Sequence, residues 1–194
     1  MTVYINDVSA FLPNEPVGND QIEDIIGRIH NLSSKTKRRI FDSNKIEKRY
    51  YALDPATGKL THTNTQLTAE AVRRLKPYED FTPHDIHCLC CGTTTADVIA
   101  PGHGLMVHGE LGSPPGEVIS TAGICLSGIT AFKYTFMNVA LGFSDNAVAT
   151  GSELASSLIR AQFFEHFQSD AKVNKNRILA FESEFLRWML SDAA

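Results

Sequence analysis

Cys125 is the residue of this chain best placed for chemistry, because it stands where an apolar, strand-like run, Glu117 to Gly123, gives way to a helical pattern, Leu126 to Leu141. The first turn of a helix carries unpaired backbone N–H groups and the positive end of the macrodipole, and both favour thiolate over thiol. A thiolate there is a nucleophile at neutral pH. Ser127 and Gly128 follow at once, small enough for neighbouring backbone or an extended substrate to come close to that turn. The competing reading is a small buried hydrophobe, the commonest fate of a free cysteine.

Other chemistry-bearing residues are less well arranged. His87, Cys88, Cys90 and Cys91 invite a metal reading, but alternation on a strand sends Cys88 and Cys90 to one face and Cys91 to the other, and no C-x-x-C spacing occurs. A buried sheet strand is the better account. His103 and His108 are too far apart in sequence to share a helix face, and His62 and His84 lie in polar or turn context, where exposure is expected. A basic segment, Lys35, Lys37, Arg38 and Arg39, leads into Lys45-Ile46-Glu47-Lys48-Arg49; it reads either as a solvated surface turn or as a phosphate-binding stretch. Phosphate-cradling, dinucleotide and serine-hydrolase motifs do not occur, so nucleotide hydrolysis, dinucleotide redox chemistry and serine hydrolysis lose support.

These residues need elements to position them. Thr2 to Leu12 reads as a strand broken by Pro13, and Asn19 or Asp20 can cap a helix from Gln21 to about His30 with Ile22, Ile25, Ile26 and Ile29 on one face. Asp54 to Lys59 is turn chemistry. A helix around Leu67, Ala71, Val72 and Leu75 ends at Pro77, a short apolar run within Asp85 to Gly92 reads as a buried strand, and Pro101 to Leu111 reads as a helix weakened by its glycines. After the break at Ser113 to Gly116 come the strand and helix around Cys125, a strand Asn146 to Thr150, and a final amphipathic helix Arg177 to Leu190. Strands alternating with helices at this spacing predict an α/β fold with a mainly parallel sheet flanked by helices.

Composition bounds the function. A chain of 194 residues with 43% hydrophobic and 21% charged residues is that of an ordinary globular protein. The net charge of -4 argues against a general nucleic-acid binder. Without a signal-like N-terminus or a membrane-length apolar run, and with cysteines bunched rather than spaced as a disulfide framework, the expected setting is the cytosol with reduced thiols.

At this point the residues carry a resemblance. The run Ile119-Ser120-Thr121-Ala122-Gly123-Ile124-Cys125-Leu126-Ser127-Gly128-Ile129-Thr130-Ala131-Phe132, followed by Ala147-Val148-Ala149-Thr150-Gly151-Ser152-Glu153, resembles the nucleophile region of the thiolase superfamily, and within it the ketoacyl-acyl-carrier-protein synthase III group. Lys45-Ile46-Glu47-Lys48-Arg49 resembles that group's G-I-x-x-R segment, with Lys45 in place of the usual glycine. Asp85 to Thr94 resembles its D-I-D strand and threonine-rich turn, and Arg187 to Asp192 the segment entering a D-G-A-G-A turn. Two departures stand out: Cys125-Leu126-Ser127-Gly128 reads C-x-x-G where many members read C-x-G, and the glycines expected at Ser191-Asp192-Ala193-Ala194 do not occur.

The resemblance implies a thiolase-like fold in which residues 1–194 are the N-terminal half-domain, with the histidine and asparagine that complete the site belonging to an absent C-terminal half. It implies that Cys125 is acylated by a coenzyme A or carrier-protein thioester, with its backbone N–H as one oxyanion donor, before condensation of the fatty-acid or polyketide type. Arg49, and secondarily Arg38 and Arg39, are the expected contacts to the phosphopantetheine phosphates or to an acidic carrier protein. No resident cofactor, nucleic acid or membrane is expected; the partners are acyl-CoA or acyl carrier protein, with a homodimer or the C-terminal half completing the molecule. Two other readings stay open: a non-catalytic half that only builds an interface, and an acyltransferase to an alcohol or amine.

Overall fold

The structure is a computed structural model that describes residues 2–29, 34–164 and 184–194. The chain divides into two compact units. One comprises Met1–Leu12, His62–Glu153 and Ala193–Ala194; the other comprises Pro13–Thr61 and Leu154–Asp192.

The first unit is built on three parallel strands, β3 (Cys88–Gly92), β4 (Glu117–Thr121) and β5 (Ala147–Gly151), in the order β4-β3-β5. The parallel sheet flanked by helices agrees with the fold class read from the sequence. The central strand β3 is buried along its whole length, as its unbroken apolar composition requires. Leu89 and Cys91 enter a core with Ala69, Val72, Ile86, Val107 and Leu111. Burial pushes the thiols of Cys88, Cys90 and Cys91 up to about 12. That holds them as neutral, unreactive thiols at physiological pH.

Three helices cover the sheet. Helix α3 (Asn64–Arg73) begins at Thr63, whose side chain accepts from the Gln66 amide while Gln66 accepts from the Thr63 amide, a reciprocal capping box. Helix α4 (His103–Leu111) follows Gly102, and one of its glycines has a packing reason: a Cβ on Gly104 would stand 2.6 Å from the Ile119 carbonyl oxygen of β4. Helix α5 (Ser127–Ala140) buries Ser127, Ala131, Thr135 and Asn138, while Ile129, Phe132, Phe136 and Met137 are exposed. Its small and polar residues are sheltered and its large apolar ones face out, the reverse of an ordinary surface helix.

The second unit pairs β1 (Val17–Gly18) with β2 (Lys48–Arg49), antiparallel, beside α1 (Ile22–Ile26), α2 (Lys37–Asn44) and α6 (Ser156–Ile159). Its core is Ile22, Ile26, Ile40, Tyr51, Leu53, Ile159 and Trp188. Asp192, fully buried, fastens the end of this unit: its carboxylate accepts from the Ala52 and Ser156 amides at 2.7 Å each and from the Ser156 hydroxyl.

Several elements differ from the sequence reading. Thr2 to Leu12 forms no strand, because a strand exists only through its partners and Phe11 alone pairs, with Ala194. The helix expected over Gln21 to His30 is five residues long, stopped by Gly27 at φ 81°, and its cap residue is Gln21 rather than Asn19 or Asp20. The basic segment, one reading of which was a surface turn, is helix α2 from Lys37 onward. Of the final helix, Phe185–Trp188 is a 3-10 turn; residues 165–183 lie outside the described residues.

Candidate active site

Cys125 is exposed, unlike the three other cysteines. It sits in a 3-10 turn, Ile124–Leu126, that joins β4 to α5 at the carboxyl end of the parallel strands, where open α/β sheets place their sites. Ile124, immediately before it, has φ 52°. A β-branched residue in the left-handed region is strained by roughly 1–3 kcal/mol and persists only where its surroundings hold it.

Those surroundings are identifiable. The Ile124 carbonyl accepts from the Ser127 amide and from the Ser127 hydroxyl at 2.8 Å, the Leu126 amide donates to the Gly123 carbonyl at 3.0 Å, and the Thr121 hydroxyl donates to the Ser127 carbonyl at 2.9 Å. The turn is thus laced on both sides of the thiol. The start of α5 is also pressed onto the strand ends. A Cβ on Gly92 would lie 2.3 Å from the Ser127 carbonyl oxygen, and one on Gly128 would lie 3.2 Å from the Gly151 Cα. The neighbouring backbone that comes close to Gly128 is therefore β5. The Cys125 N–H stands in the first turn, among the amides a helix leaves without intrahelical acceptors.

Around the same strand ends lies a polar network that the sequence reading missed. His103, 2% exposed, places Nε2 3.1 Å from both the Thr68 and the Ser152 hydroxyls. Burial lowers its basicity, partly opposed by Asp97 and Glu153. Glu153 accepts from the Thr94 amide at 2.6 Å and from the Thr94 hydroxyl, and Asp97 accepts from the Asn64 and Thr65 amides at 2.8 Å each, fixing the threonine-rich turn after β3. Spacing alone offered no signal for this, since the partners come from α3, α4 and the ends of β3 and β5. His108 stands apart, bonded to the Pro114 carbonyl, and His84 is exposed, as expected.

The arginines belong to the second unit. Arg49, the expected phosphate contact, is 1% exposed, and its guanidinium donates to Asn19 Oδ1 at 2.6 Å and to the Ile46 and Trp188 carbonyls. Both terminal nitrogens of this fork are bonded within its own unit, which position in sequence could not show. Arg38 and Arg39 are exposed on α2. Lys45 closes that helix at φ 59°, ψ 17°, which explains why glycine is the usual residue in the resembling motif. Among the described residues no cluster of His, Cys, Asp and Glu could hold a metal ion.

No protein-family model matches the chain. A beta-ketoacyl-[acyl-carrier-protein] synthase III of Cereibacter sphaeroides is 26% identical over 155 residues, 80% of this chain and 44% of that protein. The chain thus spans less than half the length of that curated relative. Among solved structures, OleA of Xanthomonas campestris, determined with bound lauric acid and lauroyl-CoA, superposes with a TM-score of 0.71 at 15% identity, covering 97% of this chain and 53% of that one. AbyA1, a tetronic acid condensing enzyme, does so with a TM-score of 0.67 at 17% identity, covering 97% and 51%. The chain has the thiolase-like fold and resembles the N-terminal part of beta-ketoacyl-acyl-carrier-protein synthase III.

Proposed function

We propose that this chain carries the nucleophile of a synthase III-like condensing enzyme and that Cys125 is its acyl acceptor. The observation that carries this reading is the exposed thiol in the first turn after β4, held by a strained and hydrogen-bonded backbone. The Cys125 sulfur attacks the carbonyl of a coenzyme A or carrier-protein thioester. The new carbon–sulfur bond forms as the old one breaks, and the proton of Cys125 leaves with the departing thiol. The Cys125 N–H supplies one donor to the developing oxyanion. A malonyl-type acceptor then gives condensation, in fatty-acid or polyketide-type synthesis; an alcohol or amine acceptor gives plain acyl transfer.

With Arg49 occupied, the carrier contact falls to Arg38 and Arg39, whose exposed guanidiniums suit phosphate or acidic side chains. A cytoplasmic setting and a homodimer, or assembly with a further thiolase-like half, accompany this reading. No helix among the described residues is long and apolar enough to cross a membrane.

The test is acylation. Incubated with acetyl-CoA or lauroyl-CoA, alone and with a separately produced second half of a synthase III relative, the protein should gain one acyl adduct, mapped to Cys125 by mass spectrometry and lost in Cys125→Ala. An unlabelled Cys125 under both conditions overturns the proposal.

A second reading is favoured by the outward apolar face of α5: a non-catalytic interaction half whose Ile129, Phe132, Phe136 and Met137 dock another protein layer. Under it, Cys125 would alkylate no faster than a model thiol while a stable complex still formed.

A further inference from the structure

His103 is bonded on one side of its ring only. A buried imidazole costs free energy unless its polar atoms have partners, and this one, fully enclosed, is satisfied at Nε2 alone. The Thr68 hydroxyl donates to the Asn64 carbonyl at 2.9 Å, so towards His103 the Thr68 oxygen can only accept. Nε2 therefore carries the hydrogen, shared between the Thr68 and Ser152 oxygens at 3.1 Å each, and Nδ1 keeps a bare lone pair. Nδ1 is buried and meets no hydrogen-bond partner among the described residues.

This ring stands where the seat of the Cys125 turn is assembled. His103 opens α4, and the residues on either side of it rest on β4: the Gly104 amide donates to the Ser120 hydroxyl at 2.8 Å, and a Cβ on Gly102 would lie 3.3 Å from that same oxygen. The His103 side chain reaches Ser152, the residue after β5. β4 and β5 lie on opposite sides of β3, so His103 spans the two outer strands across the end of the central one. Both outer strands seat the turn. Gly151 packs its Cα against Gly128, the Ser152 amide donates to the Gly92 carbonyl at 3.0 Å, and the Thr93 amide donates at 3.1 Å to the carbonyl of Thr121, whose hydroxyl holds Ser127.

We infer that His103 is a positioning residue for Cys125: as a neutral ring with its hydrogen on Nε2 it ties β4 to β5 beside the Cys125 turn, and uptake of a proton at Nδ1 breaks that tie. The inference rests on the reading of Cys125 as a nucleophile and adds a pH gate to it. An Nδ1–H is a buried donor without an acceptor, so the ring must turn or the start of α4 must lift, and either movement gives up Thr68 or Ser152. The charged groups facing the ring are Asp97, from the turn after β3, and Glu153, from the end of β5. Both carboxylates favour the protonated ring, but they are already bonded to the Asn64, Thr65 and Thr94 amides. From α3 the ring faces Thr68, and the β4 side chain beside its backbone is Ser120; neither titrates. Burial outweighs the two carboxylates, so the tie holds at neutral pH and fails below the ordinary histidine value of about 6.5.

The test reads the ring and the thiol separately in the full chain. Imidazole nitrogen NMR of the wild type should show His103 as the Nε2–H tautomer at about pH 8, with Nδ1 taking up a proton only below about pH 6.5. An Nδ1–H tautomer at about pH 8 overturns the inference. Iodoacetamide labelling, mapped to Cys125 by mass spectrometry, then follows the gate without any acyl transfer. Below about pH 6.5 the wild type should slow by a further factor of about five to ten relative to His103→Gln, which can donate to both hydroxyls but takes up no proton. At about pH 8 His103→Leu should label more slowly than the wild type, and His103→Gln should restore the rate. Parallel pH profiles for the wild type and His103→Gln overturn the inference. Where lauroyl-CoA acylates none of these forms while the alkylation difference persists, the acyl-transfer reading fails and the gate stands.

Discussion

An isoleucine in the left-handed region just before an exposed cysteine is costly, and the bonds that hold it there are specific enough to test. Ser127→Ala removes the hydroxyl that donates to the Ile124 carbonyl. It should lower stability by about 1 kcal/mol in denaturant unfolding and slow acyl-adduct formation at Cys125 beyond what that loss explains. Lys45 holds a similar left-handed conformation at the end of α2, so Lys45→Gly should raise stability by about 1 kcal/mol, read as a higher midpoint at constant m. The arginines separate by burial. Arg49→Ala should unfold the protein at markedly lower denaturant, since it strips an internal fork from Asn19 and two carbonyls, whereas Arg38→Ala with Arg39→Ala should shift stability by less than about 0.5 kcal/mol per site while weakening carrier binding in a salt-dependent way. The junction that carries Cys125 was legible in the sequence because a boundary between strand and helix is local. The occupation of Arg49 was not, because its partners Asn19 and Trp188 are distant in sequence.

At the scale of elements, glycine has two opposite jobs in this fold. At Gly92 and Gly151 a methyl group would meet the backbone of α5, and Gly92→Ala or Gly151→Ala should cost about 1–3 kcal/mol, with Gly92 the more severe. At Gly109, inside α4, nothing lies within reach of an added Cβ, so Gly109→Ala should stabilise by roughly 0.5–1 kcal/mol. One substitution with opposite signs, measured by thermal unfolding, checks whether backbone contact, rather than helix propensity, sets the position of α5. Periodicity and breakers located β3, β4, α5 and β5 to within a few residues, because short apolar runs bounded by breaker residues mark each of them locally. They misplaced Thr2–Leu12, whose strand character depends on a pairing partner, and lost much of the first helix, whose apolar stripe continues past a glycine that ends it. They also left α2 open between a turn and a phosphate loop, since its exposed face is almost wholly charged.

At the scale of the whole molecule, the buried His103 ties acid sensitivity to the first unit. Its protonation is easier in the unfolded chain than in the fold, so the stability it contributes is present above its ordinary value near 6.5 and is lost as pH falls through the lower folded value. The wild type should therefore lose unfolding free energy more steeply below about pH 6.5 than His103→Gln does, in denaturant titrations compared at matched ionic strength. The outward apolar face of α5 is the other whole-molecule feature, and it fits a chain that spans about half the length of its relatives. What the sequence by itself determined is the order of strands and helices and the thiol at one of their junctions, because side-chain periodicity and breaker residues act over a few neighbours. Only the tertiary structure decided that β3 lies between β4 and β5, that Arg49 bonds inside its unit, and that His103 joins Thr68 to Ser152. Each of these is a hydrogen-bonded pairing between segments far apart along the chain, and local pattern does not specify which distant backbone will meet which.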